Sequence, residues 1–406
     1  MRSVFKIRDF RKLWAAQFVS IFGDFLALFG VISLITFRLH GTVMQVTYVT
    51  ISYMVPLAIV GPIAGVFVDR WNVKRVMITS DLIRAGLALM LVFVTDIRQI
   101  CAIFFCLSFV SSFFAPSQSV TIRTIVPRES LLAANAMISQ AFYTVRIFSP
   151  ALAGALVAWL SEKICFYLDS ATFLFSAGML MTMAIVRAVT PPSGEKTVSG
   201  FFHDFTAGVR FIFTHPSLAF VMLAMMNAMF VLSCFSPLVS IFVRDFLSAG
   251  SFLFGVISSM IGVGLIAGTQ LVTRFGKNRA KEHIVLVGLV GLGLSVGVLS
   301  VSKIAVFAGV GTFLMGFSVA FVLVPAQTLM QQDTPIQMVG RVSSSFMSLI
   351  ALCQILGLML SGYLAHVLGF RNLFKACTVM LLLISAAGYS KLKSRSVKPL
   401  AADAGS

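Results

Sequence analysis

Apolar residues fill this chain in long runs, broken at intervals by short clusters of Lys, Arg, Pro, Gly and acids. The first run extends from Leu13 to Phe37 and carries one charge, Asp24. Comparable runs cover about 13–37, 45–68, 76–95, 99–122, 131–160, 164–186, 216–243, 249–273, 283–301, 304–331, 342–368 and 372–390. At 1.5 Å per residue, runs of about 20 residues cross hydrocarbon about 30 Å thick. They lack the polar–apolar alternation of an outer-membrane barrel strand. The pattern predicts an all-α integral membrane protein with twelve spans, and an even number returns both termini to one side. The basic start "MRSVFKIRDFRK" precedes a run too long for a signal-peptide core and without a small-residue cleavage site, so it is read as the first span.

Composition agrees. The 406 residues are 58% hydrophobic and 11% charged, against about 25% charged in soluble domains. The net charge of +17 would fit a nucleic-acid ligand if it were spread over an exposed face, so its placement decides. Twenty-two of the 31 Lys and Arg fall on the side that holds the termini. Seven fall on the other side, and Arg84 and Arg146 lie inside spans. The positive-inside rule then puts both termini in the cytoplasm, with the excess charge serving topology and anionic lipid contact rather than nucleic acid. The six Cys (101, 106, 165, 234, 353 and 377) lie in or beside apolar runs without a CxxC pair, and read as packing residues rather than a disulfide or metal framework.

The longest break, 187–215, begins "TPPSGEKTVSG" and continues "FFHDFTAGVRFIFTHP". Phe201, Phe205, Gly208/Val209 and Ile212 keep helical spacing, with His203, Asp204 and Arg210 between them. This predicts an amphipathic helix on the cytoplasmic surface. It separates a six-span bundle at 1–186 from another at 216–390, followed by a basic disordered tail at 391–406. The halves echo one another. "PSQSVTIRTIVP" from Pro116 is matched by "PAQTLMQQDTP" from Pro325, with Gln118 and Gln327 in register. "GVFVDRWNVKR" from Gly65 is matched by "GTQLVTRFGKNR" from Gly268. A repeat of this length means two copies of a six-helix unit, with a site near the bilayer midplane where they meet.

Gly65-x-x-x-Asp69-Arg70-x-x-x-Lys74-Arg75 resembles the loop signature of the major facilitator superfamily, with Asn72 where that signature expects Gly. Within it, "FFAPSQSVTIRTIVPRESLLAANAM" and "GRVSS" are similar to the bacterial branch of enterobactin exporters and macrolide-efflux transporters. "RIFSPALAGAL" looks like a degenerate antiporter signature: Pro150 and Gly154 fit, while Ser149 and Ala153 replace glycines. The arginine that many drug/proton antiporters carry inside span four is absent; Arg123 stands only at that span's end. The resemblance implies a monomer in a bacterial inner membrane that exports an amphipathic drug-like or siderophore-like molecule against inward protons by alternating access. The alternative is a lysophospholipid or metal-ion transporter of the same fold, since related branches also carry an acid in span one.

Few residues within spans are charged, and each is costly there: about 2.5–3.5 kcal/mol on insertion scales. Asp24 and Arg146 come out at similar depths, about 16 Å and 22 Å from the near ends of their spans. The family fold makes helices one and five neighbours, which predicts an Asp24–Arg146 pair. Asp24 would bind a proton or a cationic cargo while Arg146 tunes it, or the two would form a fixed structural pair. Gly23 would serve close helix approach or local unwinding. By family resemblance Gly65, Asp69, Arg70, Lys74, Arg75, Asp81 and Arg84 form a cytoplasmic latch; statistically they also fit a solvated basic loop. Asp169, five residues into span six, reads as snorkelling or pairing with Lys163, with outward proton release as a further role. In the second half only neutral groups are deep; Asn227, Gln327 and Gln354 there, with Gln118 in the first half, are the candidate cavity polar residues. No GxxxxGK[ST] loop, catalytic triad or metal-ligand set is present, so no cofactor and no enzyme are predicted.

Overall fold

The computed structural model describes residues 4–68, 71–184, 198–276, 279–335 and 338–396; side chains 62, 65–66, 198–204, 339–340 and 391–396 lie outside the description. The described residues form thirteen α-helices: α1 Arg8–Ser33, α2 Val43–Val68, α3 Val73–Met90, α4 Ile97–Ile125, α5 Leu131–Trp159, α6 Glu162–Met181, α7 Val198–Thr214, α8 Pro216–Asp245, α9 Ser251–Phe275, α10 Lys281–Val301, α11 Ala305–Gln332, α12 Val339–Leu368 and α13 Phe370–Ser396. All but α7 are long and apolar enough to cross a membrane, and each coincides with a predicted span. α1 ends in a π-turn, Leu34–Arg38. α13 continues helical to Ser396, six residues into the segment expected to be a disordered tail. α7 lies on the segment read as an amphipathic helix; the polar stretch before it lies outside the described residues.

The chain divides into two compact units. The first contains residues 1–202 with 235–262 and 358–362. In it α1 packs on α5 and α6, α3 packs on α4 and α6, and α2 packs on α4. Two lysines tie its helix ends together. Lys12 Nζ donates to Thr182 O at 2.6 Å, and Lys74 Nζ donates to Met181 O and Met183 O at 2.8 and 2.7 Å. The last carbonyls of α6, which lack helical partners, thus receive cations at the negative end of the helix dipole.

The segments of α8, α9 and α12 in this unit are held by specific contacts. Arg244 Nη1 donates to Thr36 O at 2.9 Å and to Gly41 O at 2.8 Å, and Thr36 Oγ1 donates to Ser240 Oγ at 3.0 Å. Phe254 packs against Phe29 and Phe37. Thr47 and Ser361 hydroxyls lie 3.5 Å apart.

The second unit contains 203–234, 263–357 and 363–406. Here α10 packs on α11 and α13. α7 docks on α12: Gly208 abuts the Arg341 carbonyl, and Ser345 Oγ donates to Phe205 O at 2.9 Å.

Candidate functional site

Four charged side chains from three helices converge inside the first unit. Asp81 and Arg84 stand three residues apart on α3, on one face. Arg84 Nη2 donates to Asp81 Oδ1 in a tight ion pair. Its Nη1 lies 3.8 Å from Asp24 Oδ2 on α1 and donates to Ser111 Oγ on α4 at 3.4 Å. The guanidinium carbon is 4.7 Å from the ring centre of Phe114 and 4.3 Å from that of Phe173, so two aromatic faces add cation–π attraction. Asp169 of α6 completes the group, its carboxylate lying against Gly23 of α1, the residue before Asp24.

Gly23 explains how α6 gets so near. A Cβ there would fall 3.1 Å from Asp169 Cα and 2.6 Å from its Oδ1. Close helix approach is therefore the role of this glycine, and α1 runs unbroken through it.

Three carboxylates are grouped with one guanidinium, which pairs with two of them, Asp24 and Asp81. Asp81, Asp169 and Arg84 are 0%, 1% and 3% exposed, whereas the Asp24 side chain is 24% exposed. Asp81 Oδ2, Asp169 Oδ1 and Arg84 Nε make no hydrogen bond within the described protein. Asp24 is thus the member of the group that reaches solvent-accessible space.

This geometry corrects three expectations. Asp24 meets Arg84, not Arg146. α1 and α5 are neighbours, with Phe25 and Phe142 rings 5.8 Å apart, but Asp24 turns toward α3 and α6 while Arg146 stands on an exposed face of α5. The direction each side chain faces around its helix was misjudged. Asp81 and Arg84 are core residues rather than parts of a loop latch. Asp169 is buried against α1 rather than snorkelling, and Lys163 is exposed. The acid that pairs at that end of α6 is Glu162, with Arg38.

Asp69 and Arg70 lie outside the described residues, as does the side-chain position of Gly65. Lys74 holds the end of α6, as above. Arg75 N–H donates to Asn72 Oδ1 at 3.2 Å, making Asn72 the N-cap of α3. The residue that departs from the signature glycine therefore satisfies a helix-terminal donor.

Pro150 and Gly154 act in packing. Pro150 sits inside α5, where it interrupts the helical hydrogen-bond ladder. The N–H of Ala151 donates instead to Ser259 Oγ of α9 at 2.9 Å. One turn later, a Cβ on Gly154 would fall 2.6 Å from Ser251 O and 3.0 Å from Gly255 Cα. Backbone atoms cannot step aside as side chains do. Gly154→Val is expected to destabilise by about 1–3 kcal/mol through overpacking, read as a lower unfolding temperature of the detergent-solubilised protein. Gly154→Val unfolding at the wild-type temperature would refute this role.

The candidate amides do not form one cluster. Gln118 is buried in the first unit with Nε2 unpaired within the described protein. In the second unit, Asn227 Nδ2 donates back to Leu223 O at 2.8 Å, Gln354 Nε2 lies 3.6 Å from Met229 Sδ, and Gln327 is half-buried.

With the geometry described, similarity to known proteins adds a second line of evidence. The sequence profile of the Major Facilitator Superfamily matches residues 13–358. The uncharacterised MFS-type transporter YfiS of Bacillus subtilis (strain 168) is 28% identical over 382 residues, covering 92% of this chain and 90% of that protein. Macrolide efflux protein A of Streptococcus pyogenes is 25% identical over 388 residues, covering 93% and 94%. Among solved structures, the nucleoside transporter NupG superimposes with a TM-score of 0.77 over 95% of this chain and 99% of that one, at 13% identity, a likeness of fold alone.

Proposed function

The chain belongs to the major facilitator superfamily, a family of membrane transporters, and from that premise we propose that it exports an amphipathic small molecule in exchange for inward-moving protons. One observation carries the coupling: Asp24 is the partly exposed member of a buried group of three acids and one cation, Arg84, which pairs with Asp24 and Asp81. Two uncompensated negative charges in a low-dielectric interior are costly, and a proton removes one of them. Asp24 takes that proton from water and returns it to water. Arg84, 3.8 Å away, is close enough to attract the ionised form, so loading and unloading change the forces between α1 and α3.

Access alternates between two six-helix halves in this reading. Arg244, Ser240 and Phe254 of the second half grip the ends of α1 and α2, and these contacts part when the cargo leaves on that side. The lysine and arginine bias supports both termini in the cytoplasm, with anionic lipid along the basic loops, and the bacterial relatives support an inner membrane. A single chain carries both halves, which supports a monomer as the working unit. The efflux relative supports the outward direction.

The test uses proteoliposomes with an imposed pH gradient and a panel of cationic dyes, macrolides and catecholate siderophores. Flux of at least one compound should run opposite to the proton gradient and stop when a protonophore collapses it. Flux indifferent to the protonophore would overturn the proton-coupled reading.

A further inference from the structure

α5 crosses the membrane with one polar face uncovered. Its buried positions Ala134, Met137, Ala141 and Val145 follow helical spacing and pack inward. The face carrying Asn135, Ser139, Tyr143 and Arg146, spaced by three and four, is exposed in the first unit. The 29-residue helix has its midpoint at position 145, so Arg146 stands at the centre of the span. A guanidinium at that depth cannot face lipid and must meet water or a partner. Among the described residues Arg146 makes no hydrogen bond or ion pair, and the acids that could have neutralised it are gathered around Arg84. The uncovered stripe thus offers an unspent, permanently charged fork beside the aromatic rings of Phe142 and Tyr143.

Resting on the transport reading above, and deepening it, we infer that the cargo is an organic anion: an apolar or aromatic body bearing one carboxylate- or phosphate-type group, which Arg146 holds while Tyr143 and Phe142 cover the body. The cationic group of the stripe selects against cationic drugs. The same head-group chemistry occurs in free organic acids and in lysophospholipids.

The test is equilibrium binding to the purified full-length protein in nanodiscs. The probes are dansylglycine (anionic), its neutral dansyl amide and ethidium (cationic). Wild type should bind dansylglycine about tenfold or more tightly than the amide, as one charge-assisted pair allows, and ethidium weakly or not at all. Arg146→Ala should bind the two dansyl probes alike, and Arg146→Lys should keep part of the preference. Displacement by lysophosphatidylglycerol but not by benzoate would assign the head group to lipid; displacement by benzoate would assign it to free acids. Because Arg146 makes no hydrogen bond or ion pair among the described residues, Arg146→Ala should unfold at the wild-type temperature; Arg146→Gln, which keeps the polar reach, serves if Arg146→Ala does not. Unchanged anion preference in these variants, wild-type preference for ethidium, or no binding of any probe would overturn the inference. Neither reading decides the other's outcome: Arg146-dependent anion binding without protonophore-sensitive flux would sink proton coupling alone, and proton-driven flux of cations alone would sink the anion class.

Discussion

Asp24→Asn reconstituted in proteoliposomes is expected to lose gradient-driven flux to the background of empty liposomes while still binding cargo. The substitution keeps the size of the side chain and its 3.8 Å approach to Arg84, and it removes the titratable proton. Asp81 and Asp169 remain, but both are sealed from water and cannot exchange protons with the two sides. The variant should still exchange labelled for unlabelled cargo across the membrane, since that half of the cycle moves no net proton. Binding of cargo should vary with pH in wild type and lie flat in Asp24→Asn. Uphill flux at the wild-type rate in Asp24→Asn would assign coupling elsewhere. Loss of binding together with flux would instead make Asp24 a cargo ligand.

The two halves of this result were unequally legible from the chain. Twelve spans stood in the hydropathy alone, because a membrane-crossing helix needs both length and apolarity and nothing else among the described residues has both. The charged group was half legible. Asp24 was singled out by its cost in an apolar run. Its partner was missed because Arg84 follows a loop signature and was grouped with it, although it lies about 12 Å into the predicted span 76–95, within a turn of the about 16 Å of Asp24. Depth arithmetic applied to every charge, rather than to Asp24 and Arg146 alone, would have made Arg84 a second candidate partner. The facing direction of Arg146 was beyond such arithmetic: depth along a helix carries no azimuth, and azimuth is set by which neighbours pack. Asp169 was misplaced for a related reason. Its distance from the end of span six was read as closeness to water, whereas Gly23 on another helix decides that α1 covers it. The proline and glycine of α5 were legible as a motif, but their partner surface on α9 was not, since Ser259 and Gly255 carry no signal of their own.

Arg84→Ala is expected to be the most damaging single change in the protein. It removes the cation that pairs with Asp81 and Asp24, together with its stacking on Phe114 and Phe173 and its hydrogen bond to Ser111. Breaking a buried pair by deleting one partner costs about 3–5 kcal/mol, because the other charge stays behind. Here Asp81, 0% exposed, has nowhere to turn and must take up a proton. Arg84→Ala should therefore accumulate poorly in membranes and unfold several degrees below wild type. Arg84→Lys should recover part of the loss: it restores the charge but not the planar fork or the double aromatic contact. The decisive variant replaces the pair together. Arg84→Met with Asp81→Leu puts apolar groups of similar volume where the ion pair was, a change that is commonly neutral or stabilising for a buried pair. It should regain accumulation and thermal stability relative to Arg84→Ala while gradient-driven flux stays lost, because Asp24 no longer has a charge to answer. Wild-type stability in Arg84→Ala would show that the acids are already neutral and unpaired in the resting protein. Flux restored in the apolar double variant would show that the guanidinium serves folding alone, and that Asp24 couples without it.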